Sequence, residues 1–494
     1  MNPIRALYEN QTTKADRPAL FDGDVTLTHG ELIAMVEAAA GDLVERGVGV
    51  GDRVGLCARN SWRHVVAFLA ILRAGAVWTP LNPRNGAKLN SDFQARANLS
   101  LTLIDAASVE AAGVSARPLP LETWLEGVGT ATPPPITDEP DAPFALKFTG
   151  GSTGVPKGVV QSQASAAAAL RSLQAFYDFT AEDVNLAAAP LTHGSSHYVL
   201  PVLAAGGAHV LLAEPDRAAI LSEMKARVTT VFMPPTLIAL LMGEAEFQPD
   251  DFLRLRHLTY SAAPMSPDRI AQAIQRFGPV VSTLYGQTEA PMTIAGLSPE
   301  EMAVPERRAS VGRLFADTPV RLRTADGDLV ERGEGEILVG GDLARTHYLD
   351  APELTVASRY EGWLKTGDIG RVGDDGLLHL IGRSKDLIIT GGYNVYPGEV
   401  EAALNLHPSV REACAFAEPD DIWGERLEAA VSVTPEADAN AITAFVRDRI
   451  GPVRTPKRLH FLPDLPRNPV GKVVRDDVRA LCRETQSRPL ELAR

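Results

Sequence analysis

Hydrophobic and polar positions alternate between a helical and an extended period along most of the chain. Residues 31–46 carry apolar side chains at helical spacing and are followed by Gly47, which is typical of a helix end. Residues 53–57 and 101–105 are short apolar runs that predict strands, and residues 65–74 predict a buried helix between them. Strands that alternate with helices favour an α/β fold of layered, largely parallel sheets.

The pattern changes towards the C-terminal part. Short strands separated by Gly and Asp turns occupy residues 310–382 and predict a small β-rich subdomain. After Arg383 a second α/β unit is predicted. Its expected elements are strands at 387–390 and 427–433 and helices at 399–404 and 439–449. Residues 127–143 are rich in Gly, Thr and Pro and predict a surface loop that connects subdomains.

Composition and charge narrow the function classes. The 494 residues are 45% hydrophobic and 22% charged, as expected of a globular protein. A net charge of −14 disfavours nucleic acid or an anionic membrane as the main partner, although a local basic pocket for a phosphorylated ligand stays open. The first 13 residues lack an apolar core like that of a signal peptide, and the longest apolar stretch, 65–77, is too short to span a bilayer. The three cysteines lie far apart, which predicts reduced thiols in a cytoplasmic protein.

A loop rich in Gly, Ser and Thr follows a strand predicted from the alternation of Phe144, Leu146 and Phe148. Its candidate phosphate-binding residues are Thr149, Gly150, Gly151, Ser152, Thr153, Gly154 and Lys157. Gly lets backbone N–H groups approach anionic oxygens, hydroxyls add donors, and the lysine adds positive charge, so the loop suits a triphosphate. Pro156 stands where a Walker A loop has Gly, so this is another type of phosphate loop. A flexible turn is the alternative interpretation.

This loop resembles the signature loop of the adenylate-forming superfamily, which comprises acyl-CoA ligases, adenylation domains of peptide synthetases and beetle luciferases. The usual Ser-Gly-Thr-Thr-Gly run is here residues 150–154, in which Gly150 removes one hydroxyl and leaves the backbone cradle. Four further segments match the same family in the same order up to residue 472. The resemblance therefore implies the acyl-CoA synthetase branch of that superfamily.

The second matching segment is residues 285–289. By resemblance, Tyr285 packs against adenine, Gly286 and Gln287 belong to the nucleotide site, and Thr288 hydrogen-bonds the α-phosphate. Glu289 would bind Mg²⁺, an ion that prefers oxygen ligands and few protein carboxylates.

The third segment implies a ribose site and a hinge. Asp368 offers two acceptor oxygens to a vicinal diol, and Arg383 would also reach the ribose. Lys385 matches the hinge position of the family. The resemblance thus implies a large N-terminal domain, residues 1–384, of layered α/β sheets with the β-rich subdomain. A smaller, mobile C-terminal α/β domain, residues 385–494, would rotate about Lys385.

The last two segments implicate the thiol and the catalytic cation. Gly391, Gly392 and Tyr393 resemble the loop that lines the pantetheine tunnel after rotation. Lys472 resembles the catalytic lysine that contacts the acid carboxylate and the α-phosphate in the first conformation only.

Arg84, Trp423 and Lys457 resemble CoA-binding positions of 4-halobenzoate–CoA ligases, where the cations meet phosphates and the indole stacks on adenine. Each also has an ordinary structural interpretation, such as a salt bridge or a half-buried core side chain.

Resemblance places the acid pocket near residues 190–194, 261–264 and 282–285. His193, His197, Ser261 and Tyr285 are its candidate residues, and Ala262, Ala263 and Pro264 are also assigned to the nucleotide. His193 is as well explained by gating or packing as by catalysis. No Asp lies between residues 190 and 202, which disfavours amino acids, and no Arg lies in these segments, which disfavours dicarboxylates. An aromatic or medium-sized uncharged acid is the expectation.

The sequence thus predicts a cytoplasmic, AMP-forming acid–CoA ligase that uses ATP, Mg²⁺ and CoA and works as a monomer or homodimer. The main alternative is an adenylation enzyme that loads an acyl carrier protein. A luciferase-like oxygenase and a non-catalytic nucleotide-binding module are further alternatives.

Overall fold

The chain divides into two compact units, here called unit 1 and unit 2. Unit 1 comprises Met1–Arg321, Leu338–Thr366 and Gly376–Leu378, and unit 2 comprises Leu322–Ile337, Gly367–Asp375 and His379–Arg494. The computed structural model describes residues 1–9, 11–115, 117–149, 156–214, 216–244, 247–467 and 473–487.

The strands follow in chain order. They are β1 (Pro18–Asp22), β2 (Val25–Thr28), β3 (Arg53–Cys57), β4 (Val77–Pro80), β5 (Leu101–Ile104), β6 (Pro118–Pro120), β7 (Pro143–Thr149), β8 (Lys157–Ser162), β9 (Val184–Ala187), β10 (Ala208–Leu211), β11 (Thr230–Met233), β12 (His257–Tyr260), β13 (Val281–Tyr285), β14 (Ala295–Leu297), β15 (Gly312–Leu314), β16 (Val320–Arg323), β17 (Leu329–Val330), β18 (Gly333–Val339), β19 (Thr346–Tyr348), β20 (Arg359–Tyr360), β21 (Trp363–Val372), β22 (Leu377–Arg383), β23 (Ile388–Thr390), β24 (Tyr393–Val395), β25 (Val410–Asp420), β26 (Gly424–Val433) and β27 (Arg458–Phe461).

The helices follow in the same order. They are α1 (Gln11–Lys14), α2 (His29–Glu45), α3 (Trp62–Arg73), α4 (Gly86–Ala97), α5 (Val109–Ala112), α6 (Leu121–Glu126), α7 (Gln163–Tyr177), α8 (Val199–Ala204), α9 (Arg217–Ala226), α10 (Pro235–Met242), α11 (Pro267–Phe277), α12 (Pro299–Met302), α13 (Pro352–Ala357), α14 (Pro397–Asn405), α15 (Ala439–Ile450) and α16 (Arg475–Ser487). Short 3₁₀ helices include Gly194–Tyr198 and Ser384–Asp386.

One sheet of unit 1 has the strand order β19-β8-β7-β4-β3-β5-β6. The strands from β7 to β6 pair in parallel, whereas β8 is antiparallel to both β7 and β19. Strands β4 and β5 are buried along their whole length, as a parallel sheet covered on both faces requires. Their continuous apolar runs explain why the sequence predicts strands here.

A second run of parallel strands in unit 1 has the order β13-β12-β11-β9-β10-β1. Its core includes Leu186, Val231, Leu258 and Val281, all nearly inaccessible to solvent. Antiparallel strands extend this run at both ends, with β2 beside β1 and β14 beside β13. The predicted α/β fold with largely parallel sheets is therefore confirmed.

The loop at residues 127–143 has a different role from the one expected. It leads from α6 to β7, and both β6 and β7 belong to the same sheet. The backbone N–H of Asn2 donates to Asp138 at 2.6 Å, and the Asn2 amide donates to the carbonyl of Thr137 at 3.1 Å. The segment is a loop as predicted, but it is a crossover within one layer and the prediction of a connection between subdomains is wrong.

Unit 2 contains β17, parts of β16, β18, β21 and β22, and a further sheet of order β24-β23-β26-β25 with β27 beside β26. The strands at 310–382 are thus shared between the two units, and the predicted β-rich subdomain does not form a unit of its own. Helices α14 and α15 cover that further sheet through Val400, Leu404, Ile442 and Val446. Helix α16 packs on β25 through a separate apolar cluster.

The three cysteines, Cys57, Cys414 and Cys482, are buried and free, as expected of structural thiols. Within the described residues, no helix is long and apolar enough to cross a membrane.

Candidate active site

The predicted pocket and nucleotide segments follow strands of one parallel run. Strand β9 leads to residues 188–193, β12 leads to residues 261–264, and β13 leads to residues 286–289. Parallel pairing of β12 with β13, and of β11 with both β9 and β12, brings the carboxyl ends of these strands to one edge. Ligands of open α/β sheets bind at this edge, so the topology supports the assignment of all three segments to one site.

The turn after β13 is fixed by its backbone. Tyr285 is 7% exposed, and the N–H of Gln287 donates to the carbonyl of Ala290 at 2.9 Å. The Gln287 amide donates to the carbonyl of Thr366 at 3.0 Å. A Cβ added to Gly286 would lie 2.3 Å from the backbone nitrogen of Met292, so only glycine fits there.

The candidate metal ligand Glu289 is held by strand β19. The hydroxyl of Tyr348 donates to a Glu289 carboxylate oxygen at 2.9 Å, and the Thr346 hydroxyl donates to the Glu289 carbonyl at 2.8 Å. Burial and the neighbouring carboxylate raise the pKa of Tyr348 above its usual value, so the phenol stays a proton donor at neutral pH.

Within the described residues, no group of three or more His, Cys, Asp or Glu side chains is arranged as a metal centre. A lone oriented carboxylate fits Mg²⁺, which proteins bind with one or two carboxylates while substrate phosphates and waters complete the octahedron.

The phosphate loop begins and ends in the hairpin of β7 and β8. Thr149 pairs with Lys157 at the end of this hairpin from which the loop leaves, and residues 150–154 lie outside the described residues. The Lys157 ammonium lies 5.9 Å from the centroid of the Tyr348 ring, which places its charge near the group that orients Glu289. The Gln161 amide in β8 donates to the carbonyl of Thr288 at 2.8 Å. Strand β8 therefore connects the phosphate loop with the turn after β13.

The candidate residues of the acid pocket lie in two of the three loops. The Thr192 hydroxyl and Nδ1 of His193 are 2.9 Å apart, and the imidazole of His193 is exposed. Crowding by protein atoms, together with the charges of Lys147 and Arg84, lowers the pKa of His193 below its usual value.

In contrast, His197 is turned inward and contacts Lys147, with 3.3 Å between its Nε2 and the lysine Nζ. In the loop after β12, Ser261 is buried, Ala262 and Pro264 are exposed, and Ala263 is intermediate between them. Ala262 has a φ of +70°, a conformation that non-glycine residues adopt at a strain cost and that is concentrated at functional sites.

In unit 2, the two candidate ribose residues form an ion pair. The Arg383 Nε lies 3.1 Å from an oxygen of Asp368, and Asp368 is buried whereas Arg383 is exposed. The arginine holds the carboxylate at one oxygen, which fits the orientation of a diol-binding aspartate.

Three candidate CoA residues also meet in unit 2. The N–H of Gly391 donates to the carbonyl of Trp423 at 2.8 Å, and a Cβ on Gly391 would lie 2.8 Å from the indole. The ammonium of Lys457 lies 5.5 Å from the centroid of the same indole, which is 45% exposed. Gly392 and the exposed Tyr393 follow directly, and both Gly391 and Gly392 have positive φ.

The candidate phosphate ligand Arg84 belongs to unit 1. Its guanidinium lies 3.9 Å from Glu214, which also contacts Arg59 at 3.1 Å, and the three side chains line a groove of about 260 Å³. The hinge candidate Lys385 is exposed in the 3₁₀ helix Ser384–Asp386, and Lys472 lies outside the described residues.

Comparison with known proteins decides the family. A model of the AMP-binding enzyme family matches residues 7–349, and a model of the AMP-binding enzyme C-terminal domain matches residues 399–472. The chain belongs to the AMP-binding enzyme family. A medium/long-chain-fatty-acid–CoA ligase of Mycobacterium tuberculosis is 31% identical over 94% of this chain and 87% of its own. A feruloyl-CoA synthase of an Amycolatopsis species is 32% identical over 93% of this chain and 95% of its own.

The solved structure of an amide bond synthetase from Marinactinospora thermotolerans superposes with a TM-score of 0.85 and 29% identity, covering 97% of this chain and 99% of that one. This AMP-binding enzyme is thus an acid–thiol ligase of the acyl-CoA synthetase branch. Its small-molecule substrates are a carboxylic acid, ATP and CoA, and Mg²⁺ is the metal typical of its family. The specific likeness to 4-halobenzoate–CoA ligases stays a prediction.

Several residues of this AMP-binding enzyme that orient its candidate site were not found from the sequence. Tyr348 lies 59 residues from the carboxylate it holds, and no local pattern connects the two. Gln161 also acts over a long separation, 127 residues from Thr288. Lys147 could have been noticed in the sequence, because a charged residue there stands between Leu146 and Phe148 in a predicted strand.

Proposed function

We propose that this enzyme converts an uncharged aromatic or medium-sized acid into its acyl-adenylate and then into the CoA thioester. The observation that carries the proposal is the meeting of three loops at the carboxyl edge of one parallel sheet. Crowding by protein atoms and nearby Lys147 lower the pKa values of His193 and His197, so both imidazoles in the pocket loop are neutral at pH 7. A feruloyl and a medium/long-chain fatty acyl group are the acids named for two relatives.

In the first half-reaction, the acid carboxylate attacks the α-phosphorus of ATP in line, and pyrophosphate leaves. The roles proposed are that Thr288 donates to the α-phosphate and that Lys157 with the loop backbone holds the leaving group. Glu289, fixed by Tyr348, would hold Mg²⁺, which neutralises phosphate charge when bound. Lys472 would contact both anions, which repel each other until the new bond forms.

In the second half-reaction, the C-terminal domain, residues 385–494, would turn about Lys385 and withdraw Lys472. The loop of Gly391 would then approach the thiol arm, with Trp423 and Lys457 at the nucleotide end of CoA. The free, buried cysteines support a cytoplasmic location for this chemistry.

Loading of a carrier protein remains the second candidate, and the fold shared with an amide bond synthetase adds an amine as a third acceptor. CoA is favoured because the exposed indole of Trp423 lies 5.5 Å from the ammonium of Lys457. An aromatic face beside a cation suits a base linked to a phosphate, whereas a carrier protein presents no adenine.

The test is a pyrophosphate-release screen over benzoic, cinnamic, arylacetic, C6 to C12 fatty and dicarboxylic acids, with CoA, a holo carrier protein or an amine as acceptor. We expect release with aromatic or medium-chain acids and thioester formation with CoA. Faster transfer to the carrier protein or the amine would overturn the acceptor, and release only with dicarboxylates would overturn the acid.

A further inference from the structure

A lysine is buried on strand β7, two residues before the phosphate loop. Ala145, Lys147 and Thr149 alternate with Leu146 and Phe148, so the first three share one face of the strand. Lys147 is only 9% exposed. Lysine is rarely buried without a partner, because removing an ammonium from water is costly unless a counter-charge compensates.

The neighbours of Lys147 are neutral. Its Nζ lies 3.3 Å from Nε2 of His197 and 3.5 Å from the hydroxyl of Ser196, and 5.2 Å from the centroid of the Trp78 indole. Since Nδ1 of His197 lies 3.2 Å from the carbonyl of Gly194 and donates to it, Nε2 presents a lone pair to the lysine. None of the described carboxylates offsets the lysine charge, and burial lowers the pKa of Lys147 to about 7.

The amine faces a cavity of about 30 Å³, enough for one or two atoms of the size of a water oxygen. Phe68, Trp78 and Leu200 contribute apolar walls, whereas Lys147, Gln161 and Ser196 contribute polar groups. A mainly apolar hollow with a few convergent polar groups is typical of a ligand-recognition site.

Two hydrogen bonds connect this cavity with the candidate active site. Gln161 lines the cavity and also donates to the carbonyl of Thr288, and Ser196 donates to the carbonyl of His193 at 2.7 Å. Along β7, Lys147 and Thr149 are two residues apart on one face, or about 7 Å. An acid held in the pocket beside His193, whose carbonyl accepts from Ser196, would therefore present its far end to Lys147.

We propose that Lys147, with Ser196 and His197, forms a specificity site for an oxygen at the distal end of the acid, namely a hydroxyl, methoxy or keto oxygen. This inference rests on the proposed function and extends it to the class of acid. The small cavity admits the oxygen and leaves the ring outside. A second carboxylate is disfavoured, because the cost of removing two charges from water among apolar walls can exceed the attraction within the ion pair.

The experiment compares acids that differ only at the distal position. Benzoate, cinnamate and phenylpropanoate are each paired with their 4-hydroxy, 4-methoxy and 4-acetyl derivatives and with a 4-carboxy derivative, alongside the unsubstituted C6 to C12 fatty acids. Pyrophosphate release gives kcat/KM for wild type, Lys147→Met, Lys147→Gln and the surface control Lys225→Met.

We expect wild type to prefer a neutral oxygen-bearing acid over its unsubstituted partner by 10-fold or more. Lys147→Met should remove this preference while keeping the rate on the unsubstituted acid within about threefold, since one lost hydrogen bond to a substrate oxygen has an effect of this order. Lys147→Gln keeps an N–H donor and should restore part of the preference. Met has no charge to bury, so Lys147→Met should fold at least as stably as wild type, and circular dichroism and thermal unfolding check this.

Each other outcome is decisive. Equal loss on paired acids in Lys147→Met would make Lys147 a structural residue, and a preference for unsubstituted or 4-carboxy acids in wild type would overturn the inference while the ligase function stands. Absence of release with every acid would contradict the proposed acid class instead.

Discussion

The hydroxyl of Tyr348 orients the candidate metal ligand Glu289 at 2.9 Å. We expect Tyr348→Phe to raise the Mg²⁺ concentration for half-maximal pyrophosphate release by about 10-fold or more, because losing a partner that orients a ligating carboxylate weakens metal binding. The rate at saturating Mg²⁺ should fall much less. A magnesium titration of pyrophosphate release measures both quantities.

Tyr8 provides the matched control, because its hydroxyl also donates to a carboxylate, that of Glu37, elsewhere in unit 1. Tyr8→Phe should leave the magnesium titration unchanged. An identical magnesium dependence in Tyr348→Phe and wild type would remove Tyr348 from the metal site.

Lys147 also makes a prediction about stability that requires no substrate. Burial lowers the pKa of this amine to about 7 from a usual value of 10.5, so the folded state prefers the neutral form. Below pH 7 the amine is protonated in both states and the full burial cost remains. Between pH 7 and 10.5 the unfolded state binds more protons than the folded state, so wild-type stability rises with pH relative to a variant without the amine.

Lys147→Met should therefore be more stable than wild type by about 2 kcal/mol or more at pH 6.5, and the difference should shrink by pH 9.5. Urea unfolding at both pH values measures it. His193 and His197, the titratable neighbours whose pKa values respond to Lys147, stay neutral across this window. A difference that grew with pH would contradict a neutral amine in the folded protein.

At the scale of elements, the turn between β13 and β14 depends on the absence of a side chain. A Cβ at residue 286 would lie 2.3 Å from the backbone nitrogen of Met292, so the two sides of the turn would have to separate. Gly286→Ala should destabilise the protein by about 1–3 kcal/mol, as overpacking does, and raise the KM for ATP. Urea unfolding and ATP-dependent pyrophosphate release measure the two effects. Gly129→Ala is the control, since its Cβ would approach only Glu45, at 3.8 Å.

The elements predicted from periodicity, such as α2 and β3, are present, and the misses have physical causes. The sequence pattern predicts strand β26 at 427–433 but does not predict its partner, β25. The centre of β25 consists of Ala413, Cys414, Ala415 and Phe416, all buried because helices pack on both faces of the sheet. Small residues with no alternation favour a helix locally, and tertiary burial overrides that preference.

The same distinction applies to the candidate site. Segments such as 285–289 are contiguous in the sequence, so their motif could be recognised directly. The contacts that orient them join strands far apart in the chain, as when β19 supplies Tyr348 to Glu289. Such pairs depend on sheet topology, here the antiparallel pairing of β8 with β19, which no local pattern encodes.

At the scale of the whole molecule, the division into compact units and the proposed division for movement differ. Unit 2 already begins at Leu322 and takes in two segments before His379, whereas the rotating domain is predicted to begin at Lys385. Compactness reports which residues pack together in one arrangement. A hinge is defined by the few residues whose dihedral angles change between two arrangements, so the boundary at Lys385 stays a prediction for kinetics to test.

Two lysines of the C-terminal part allow that test, because each is assigned to one half-reaction only. Lys472→Ala should slow acyl-adenylate formation by about 100-fold or more, as expected when a cation that stabilises developing charge is removed. The same variant should convert supplied acyl-adenylate and CoA to thioester at nearly the wild-type rate.

Lys457→Ala should affect the other half-reaction, with normal acyl-adenylate formation and a raised KM for CoA. The reason is that the Lys457 ammonium lies beside the exposed indole of Trp423. Hydroxylamine trapping measures the first half-reaction and thioester absorbance the second. Opposite patterns in the two variants are expected if the domain presents one lysine in each half-reaction, and loss of both halves in each variant would contradict that assignment.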